Sequence, residues 1–149
     1  MARTYGIDVS VFAGPSADDA TAADLRLRAV VRGRDETKLD LALVDGRDNL
    51  AQALVLRLLT PLGSLAALGH ASYGSRLHEL IGRNRTPAIR NLCRAFVLEA
   101  VAQEPRVEPR AVGLEFDTAA EGPFELRFTV GVRPRGGGDP IHVAVEVGL

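Results

Sequence analysis

The last third of the chain alternates between apolar and polar residues in three separate runs. The runs cover residues 112–116, 124–132 and 141–147, and a glycine-rich loop at 136–140 joins the last two as a hairpin. Because every second side chain of a strand points to the same face, the runs predict an antiparallel sheet packed on one side only. The residues expected on the buried face are Val112, Leu114, Phe116, Phe124, Leu126, Phe128, Val130, Val132, Ile141, Val143, Val145 and Val147.

The first part of the chain has a weaker pattern. Residues 1–24 show no sustained period, although Ile7, Val9 and Val11 alternate and allow one short strand. Residues 25–44 hold two alternating stretches around a polar break, which predicts a hairpin. We therefore predict an N-terminal extension at 1–24 and a single domain at 25–149, made of an added hairpin at 25–46, helices at 48–103 and a sheet at 111–148.

Between these regions the apolar residues recur at helical spacing. A first helix is predicted to run to Leu59 from an N-cap at Asp48 or Asn49. It is apolar nearly all round, which is typical of a helix that is central to its domain or covered by a partner. A short helical piece at 76–81 and a third helix at 86–103, which opens with a Thr-Pro pair, complete the set. We expect an α+β fold with about three helices packed on one face of an antiparallel sheet.

The chain offers few residues for catalysis. His78 and Glu79 begin like a zinc-protease helix, but Gly82 stands where the second histidine ligand is needed. The Gly-Ser pairs lack the following x-Gly of a nucleophile elbow. A glycosidase needs two carboxylates across a cleft, and among 19 acidic residues some pair always exists. We therefore predict that the protein is not an enzyme and has no metal, no cofactor and no small-molecule substrate.

Composition narrows the possible partners. The formal net charge of −1 argues against a general nucleic-acid binder. The single cysteine, Cys93, cannot build a disulfide framework or a zinc site and fits a small core residue on the third helix. The apolar runs are too short to span a bilayer, and residues 1–16 lack the pattern of a secretory signal. The expected protein is made in the cytoplasm and binds neither nucleic acid nor membrane.

The third helix stops at Glu104-Pro105-Arg106. Pro105 disfavours helical geometry at Glu104, and the helix dipole disfavours a carboxylate at this end while it favours an arginine. Two interpretations stay open from the residues alone. The pair is either satisfied by an intermolecular partner or is an ordinary solvent-exposed ion pair that contributes little.

Three pieces of the sequence carry a resemblance. Leu59-Thr60-Pro61-Leu62-Gly63, then Tyr73-Gly74, then a helix that ends in Glu104-Pro105-Arg106-Val107 occur in this order and spacing. Together they resemble the gene-25-like baseplate wedge family. This family includes components of contractile phage tails, of type VI secretion systems and of extracellular contractile injection systems. The resemblance covers residues 48–116 and continues with strands, as the family does.

The resemblance implies a structural protein. It implies that Glu104, Pro105 and Arg106 dock on other baseplate wedge proteins, and that the C-terminal strands are sheath-handshake-like. The protein would then enter the baseplate of a contractile particle in six copies and template the first ring of the tail sheath protein by strand pairing. The positions that match the family's interhelical loop are Thr60, Pro61, Gly63, Tyr73 and Gly74.

Three further points follow from the resemblance. Glu108-Pro109-Arg110 repeats the triplet and departs from the family pattern, and the first triplet is preferred because it directly ends the helix. A related fold serves as a small anti-adaptor in the control of bacterial proteolysis, so a regulatory binding protein is the alternative function. Members of the family have also been called lysozymes, but no convincing acid and nucleophile pair is present in this chain.

Overall fold

The computed structural model describes residues 6–12, 24–25, 27–31, 37–109 and 112–149. The chain divides into two compact units, Met1–Gln52 and Ala53–Leu149. The division falls within a helix. It does not test the predicted boundary between extension and domain at residue 24, and that boundary stays a prediction.

The described strands of the first unit form three antiparallel pairs. The pairs are β1 (Ile7–Val9) with β6 (Leu43–Asp45), β2 (Val11–Phe12) with β3 (Asp24–Leu25), and β4 (Leu27–Val31) with β5 (Thr37–Leu41). The side chain of Gln52 stabilises the segment of Val9 and Val11 by two hydrogen bonds to its backbone. Its amide donates to the carbonyl of Val9 at 2.9 Å, and its oxygen accepts from the backbone N–H of Val11 at 2.8 Å.

The first helix, α1, spans Gly46–Leu59. The predicted N-cap at Asp48 or Asn49 is wrong, because the helix begins directly after β6. Gly46 has a φ of 55°, which lets the chain turn from strand to helix at once. Leu50, Leu54 and Leu58 recur at intervals of four residues and are buried.

The second helix, α2, spans Pro87–Ala102 and begins as its sequence predicted. Thr86 is the N-cap, and its hydroxyl accepts from the backbone N–H of Ile89 at 3.2 Å. The lone cysteine is confirmed as a core residue, and burial raises the pKa of the Cys93 thiol to about 12. The buried face of α2 consists of Cys93, Phe96, Val97, Ala100 and Val101.

Three strands complete the second unit as an antiparallel meander. They are β7 (Gly113–Phe116), β8 (Glu125–Val132) and β9 (Ile141–Gly148), paired in the order β7-β8-β9. The predicted alternation is present, since every second residue of β8 and β9 is buried. Phe124 is the exception. It lies just before β8 with 76% of its surface exposed and does not face the core.

The predicted arrangement of about three helices on one face of an antiparallel sheet is wrong. Within the described residues there are two α-helices, and strand pairing is divided among four small sheets. The expected middle helix is a 3-10 turn at Leu77–Leu80, too short between Ser75 and Gly82 for a ladder of α-helical hydrogen bonds. The C-terminal strands pair in sequence order and are not handshake-like. The fold is a mixed α+β fold.

Candidate docking surface

The end of α2 turns Glu104 inward and Pro105 outward. Glu104 is 4% exposed, whereas Pro105 lies at the surface. The chain then pairs with the segment after β8. The carbonyl of Arg106 accepts from the backbone N–H of Arg135 at 2.8 Å, and the backbone N–H of Glu108 donates to Arg133 at 2.9 Å. The triplet is therefore a fixed turn between helix and sheet.

The buried carboxylate of Glu104 is held mainly by Arg106. The Nε of Arg106 donates to Oε1 at 2.6 Å, its Nη2 donates to Oε2 at 3.2 Å, and its backbone N–H reaches Oε1 at 3.3 Å. Burial by itself would raise the pKa of Glu104. The hydrogen bonds and charges of Arg106 and Arg57 outweigh that effect and leave the pKa below its usual range. This ion pair lies within the chain and is not an ordinary solvent-exposed pair.

A second arginine, Arg57 from the last turn of α1, approaches the same carboxylate. Its Nη2 lies 3.7 Å from Oε2 of Glu104, and its guanidinium stacks 4.5 Å above the ring of Tyr73. The side chain of Arg57 is 12% exposed. Beside it lies an open depression whose lining residues are Arg57, Gly69, His70, Ser72, Tyr73 and Gln103.

The loop between the helices is shaped by a close approach at Gly74. A Cβ atom at this position would lie 2.5 Å from the carbonyl oxygen of Thr60 and 2.9 Å from backbone atoms of Pro61, and the φ of Gly74 is 116°. Only glycine fits both constraints. The contact lets the backbone N–H of Ser75 donate to Thr60 at 2.8 Å, and the N–H of Leu62 donates to Ser75 at 2.8 Å.

The structure brings most of the predicted positions into two adjoining sets. Glu104 and Arg106 meet each other, and Arg57 links Glu104 to Tyr73. Thr60, Pro61 and Gly74 form the close backbone contact, and Gly74 follows Tyr73 directly. Gly63 has a φ of 83° in open space and serves only the turn. Pro105 is exposed and lies at the surface of the turn.

The sequence reasoning missed two residues of this region. Arg57 interrupts the apolar pattern of α1, and a charged residue on an otherwise apolar helix is itself a signal of a specific partner. Ser75 is 3% exposed, and its hydroxyl donates to the carbonyl of Leu58 at 2.5 Å. Nothing in the sequence pattern singles out Ser75. In the second triplet, Glu108 is half-buried, Pro109 is exposed, and Arg110 lies outside the described residues.

The two edges of the three-stranded sheet differ. The backbone N–H of Leu149 donates to the carbonyl of Phe124. In the antiparallel register of β8 and β9, the odd-numbered residues of β9 therefore form hydrogen bonds with β8, and the backbone groups of the even-numbered residues point away from β8. Within the described residues no further strand covers that edge. On the opposite edge, Nη1 of Arg94 donates to the carbonyl of Leu114 at 3.1 Å, which occupies part of β7.

Neither a metal centre nor a membrane span stands out in the part of the chain that the structure describes. No group of three or more His, Cys, Asp or Glu side chains there could hold a metal ion. No described helix is both long and apolar enough to cross a bilayer.

No protein-family model matches the chain, and no curated protein matches it. Among solved structures, the chain is similar to a Geobacter sulfurreducens protein that bears the provisional name tail lysozyme. The TM-score is 0.55 at 21% sequence identity, and the match covers 68% of this chain and 89% of the other. The chain thus shares the fold of a tail-related protein. Membership of the gene-25-like family stays a prediction.

Proposed function

We propose that this protein is a structural component of the baseplate of a contractile injection machine, and that it docks on other baseplate proteins through one surface. This docking surface consists of Gln103, Pro105 and the exposed part of Arg106, together with the depression beside Arg57. The observation that carries the proposal is a chain of contacts between residues that the sequence resemblance singled out separately. Arg106 bonds the buried carboxylate of Glu104, and Arg57, 3.7 Å from that carboxylate, stacks on Tyr73.

A fixed surface favours docking. The buried Glu104 holds the Arg106 side chain, and backbone bonds from Arg133 and Arg135 hold the turn that carries Pro105. A surface that is ordered before it binds loses less conformational entropy on association. Gln103 and Pro105 are exposed on this fixed turn and are available to a partner.

The second element of the proposal is strand pairing at the free edge of β9. Its even-numbered residues, His142, Ala144, Glu146 and Gly148, direct backbone donors and acceptors away from β8. An edge of this length that no described strand covers is suited to the addition of a strand from another chain. In the proposed machine that strand belongs to the tail sheath protein, and six copies of this protein around the tube present six such edges.

The carboxyl groups favour a structural role over sugar cleavage. A glycosidase acid needs a pKa raised by its surroundings. Among the described glutamates, four have clearly shifted pKa values, Glu79, Glu104, Glu121 and Glu125, and the pKa of each is lowered. We therefore propose that the protein is not a hydrolase. Its addition should leave the turbidity of a cell-wall suspension unchanged, and steady clearing would contradict this part of the proposal.

The test of docking is incorporation into particles made by cells that carry variants of this chain. Gln103→Glu places a negative charge on the docking surface without touching the Glu104–Arg106 pair. We expect at least a tenfold loss of the protein from purified particles, measured by quantitative mass spectrometry. Asn84→Glu is the matched control, because Asn84 is an exposed loop residue.

Ala144→Pro tests the strand edge separately. The backbone N–H of Ala144 points away from β8, so proline removes a donor from the open edge and leaves the β8–β9 ladder in place. We expect baseplates that contain the protein but lack sheath. Normal incorporation of Gln103→Glu together with normal sheaths on Ala144→Pro particles would refute the proposed function.

A further inference from the structure

Arg57 differs from the other strongly shielded arginines of the second unit. Arg90 and Arg106 each make two hydrogen bonds to a carboxylate. Within the described residues Arg57 makes none. Its Nε is buried without a partner, and its closest approach to Glu104, 3.7 Å, is an ion-pair distance that is too long for a hydrogen bond. Stacking on Tyr73 at 4.5 Å holds the guanidinium in this position.

The guanidinium of Arg57 carries five N–H donors. Its buried Nε is out of reach of another molecule, so a new contact has to be made by the two Nη groups. Glu104 does not need Arg57 as its main partner, because Arg106 already provides two side-chain hydrogen bonds. Arg57 can therefore bind another acceptor without leaving Glu104 unpaired.

Other residues that line the depression beside Arg57 can form further contacts with such an acceptor. His70, Ser72 and Gln103 line it and carry groups that can form hydrogen bonds, and among the described residues no aspartate or glutamate lines it. Arg57 is the only lysine or arginine among the described residues that line it. One guanidinium fork matches the two oxygens of a carboxylate, whereas phosphate groups are usually held by clusters of arginines.

We propose that this depression receives an aspartate or glutamate side chain of a partner protein, with the guanidinium of Arg57 as its anchor. We assign a protein as the partner because Gln103, which belongs to the proposed docking surface, also lines the depression. The proposal names the chemistry that the docking surface recognises, and to that extent it rests on the proposed function.

Binding of the carboxylate is tested first on the purified full-length protein, independently of any particle. The probes are N-acetylglutamate N-methylamide and its uncharged counterpart N-acetylglutamine N-methylamide, added at constant ionic strength. Arginine Nε–H signals are followed by nuclear magnetic resonance. We expect a saturable shift of the Arg57 signal with the glutamate probe and at least tenfold weaker binding of the glutamine probe, since a charged hydrogen-bond acceptor contributes 1.4 kcal/mol or more.

Controls make the titration decisive. Arg57→Gln should abolish the response of the other depression residues, while Arg83→Gln, an exposed loop change, should not. Equal binding of the two probes, equal shifts at all arginines, or stronger binding of inorganic phosphate would each overturn the proposal. Circular dichroism shows whether Arg57→Gln is folded, and Arg57→Lys is a second variant that retains the charge.

A cross-link identifies the acidic residue in the assembled particle. Lys38 is the only lysine of the chain, so Arg57→Lys introduces a single new amine. A carbodiimide joins an amine and a carboxylate in direct contact as an amide and takes up the water that is lost. We expect an amide between position 57 and an Asp or Glu of another baseplate protein, absent from the unsubstituted chain and from Arg83→Lys.

Cross-linking only to Glu104 of the same chain would overturn the inference. If the protein proves absent from particles, the proposed function fails, while the titration of the purified protein still decides whether the depression binds a carboxylate.

Discussion

Two glutamates of the second unit are shielded from solvent, and arginines hold them in different ways. The Glu121 side chain is 0% exposed, and Arg90 donates to both of its oxygens at 2.7 and 2.5 Å. The backbone N–H of Arg127 and the charge of Arg85, 3.6 Å away, complete the set. The Glu104 side chain is 4% exposed, but Arg106 holds it from two residues away, and the Nη2 of Arg57 stays 3.7 Å from its Oε2.

The two clusters differ in whether all of their charged groups form hydrogen bonds within the protein. At Glu121 the hydrogen bonds join the first half of α2 to the turn before β8, two segments distant in sequence, so the cluster stabilises the fold. At Glu104 the main pair is local and fixes a turn, and Arg57 has no hydrogen bond within the described residues. A satisfied cluster has no need of a partner, while an unsatisfied one next to an exposed turn is suited to binding.

The largest expected effect is that of Arg90→Ala on stability. It leaves the carboxylate of Glu121 without its bidentate partner, and breaking such a shielded pair from one side costs about 3 kcal/mol. Urea denaturation measures the loss. Arg106→Ala should cost less, about 1–2 kcal/mol, because Arg57 can close the remaining gap to Glu104. An equal or larger loss for Arg106→Ala would remove the distinction between the two clusters.

Acid should weaken both clusters. The hydrogen bond from Arg90 lowers the pKa of Glu121, and at Glu104 the arginines lower the pKa against the opposing effect of burial. A carboxyl group whose pKa is lower in the folded state stabilises the protein above the unfolded pKa of about 4.3. That contribution is lost as the pH falls through the folded-state pKa.

The free energy of unfolding should therefore decrease below about pH 4.3, by at most about 1.4 kcal/mol per pH unit for each group. Urea titrations at several pH values measure the slope. Glu121→Gln and Glu104→Gln should each make it shallower. An unchanged slope in both variants would show that these two groups do not contribute.

The smallest expected effect on stability is that of Arg57→Gln. The change removes a stacking contact and a long ion pair, but it also removes a buried N–H without a partner. These terms oppose each other, and we expect a net change within about 1 kcal/mol. Thermal denaturation measures it. The same variant should nevertheless be lost from particles, and a loss of stability as large as that of Arg90→Ala would assign Arg57 to the fold instead.

Local patterns in the sequence predicted local structure well. The alternation in the last third became β7, β8 and β9, and the Thr86-Pro87 pair starts α2. The strand alternation and the helix start are each determined by residues that are close together in the sequence. Phe124 was misplaced because apolar character alone does not show where a strand starts. The middle helix was misjudged because helical spacing over six residues does not distinguish an α-helix from a 3-10 turn.

Side-chain pairing needed the tertiary structure. The triplet Glu104-Pro105-Arg106 was visible as a helix stop, but its sequence could not show that Glu104 points inward. The carboxylate of Glu104 lies beside Arg57, which is 47 residues earlier in the chain and stacks on Tyr73. The same holds for Glu121, which meets Arg90 from a different element.

The sequence by itself determined the strand faces, the start of α2, the need for a turn after it and the position of Cys93 in the core. Each of these follows from the periodicity and chemistry of a few adjacent residues. Only the tertiary structure decided that the helix stop encloses a carboxylate. It also decided that, within the described residues, no strand covers the outer edge of β9 and Arg57 makes no hydrogen bond. Those properties arise from distances between elements that are far apart along the chain, and the amino-acid order does not specify them locally.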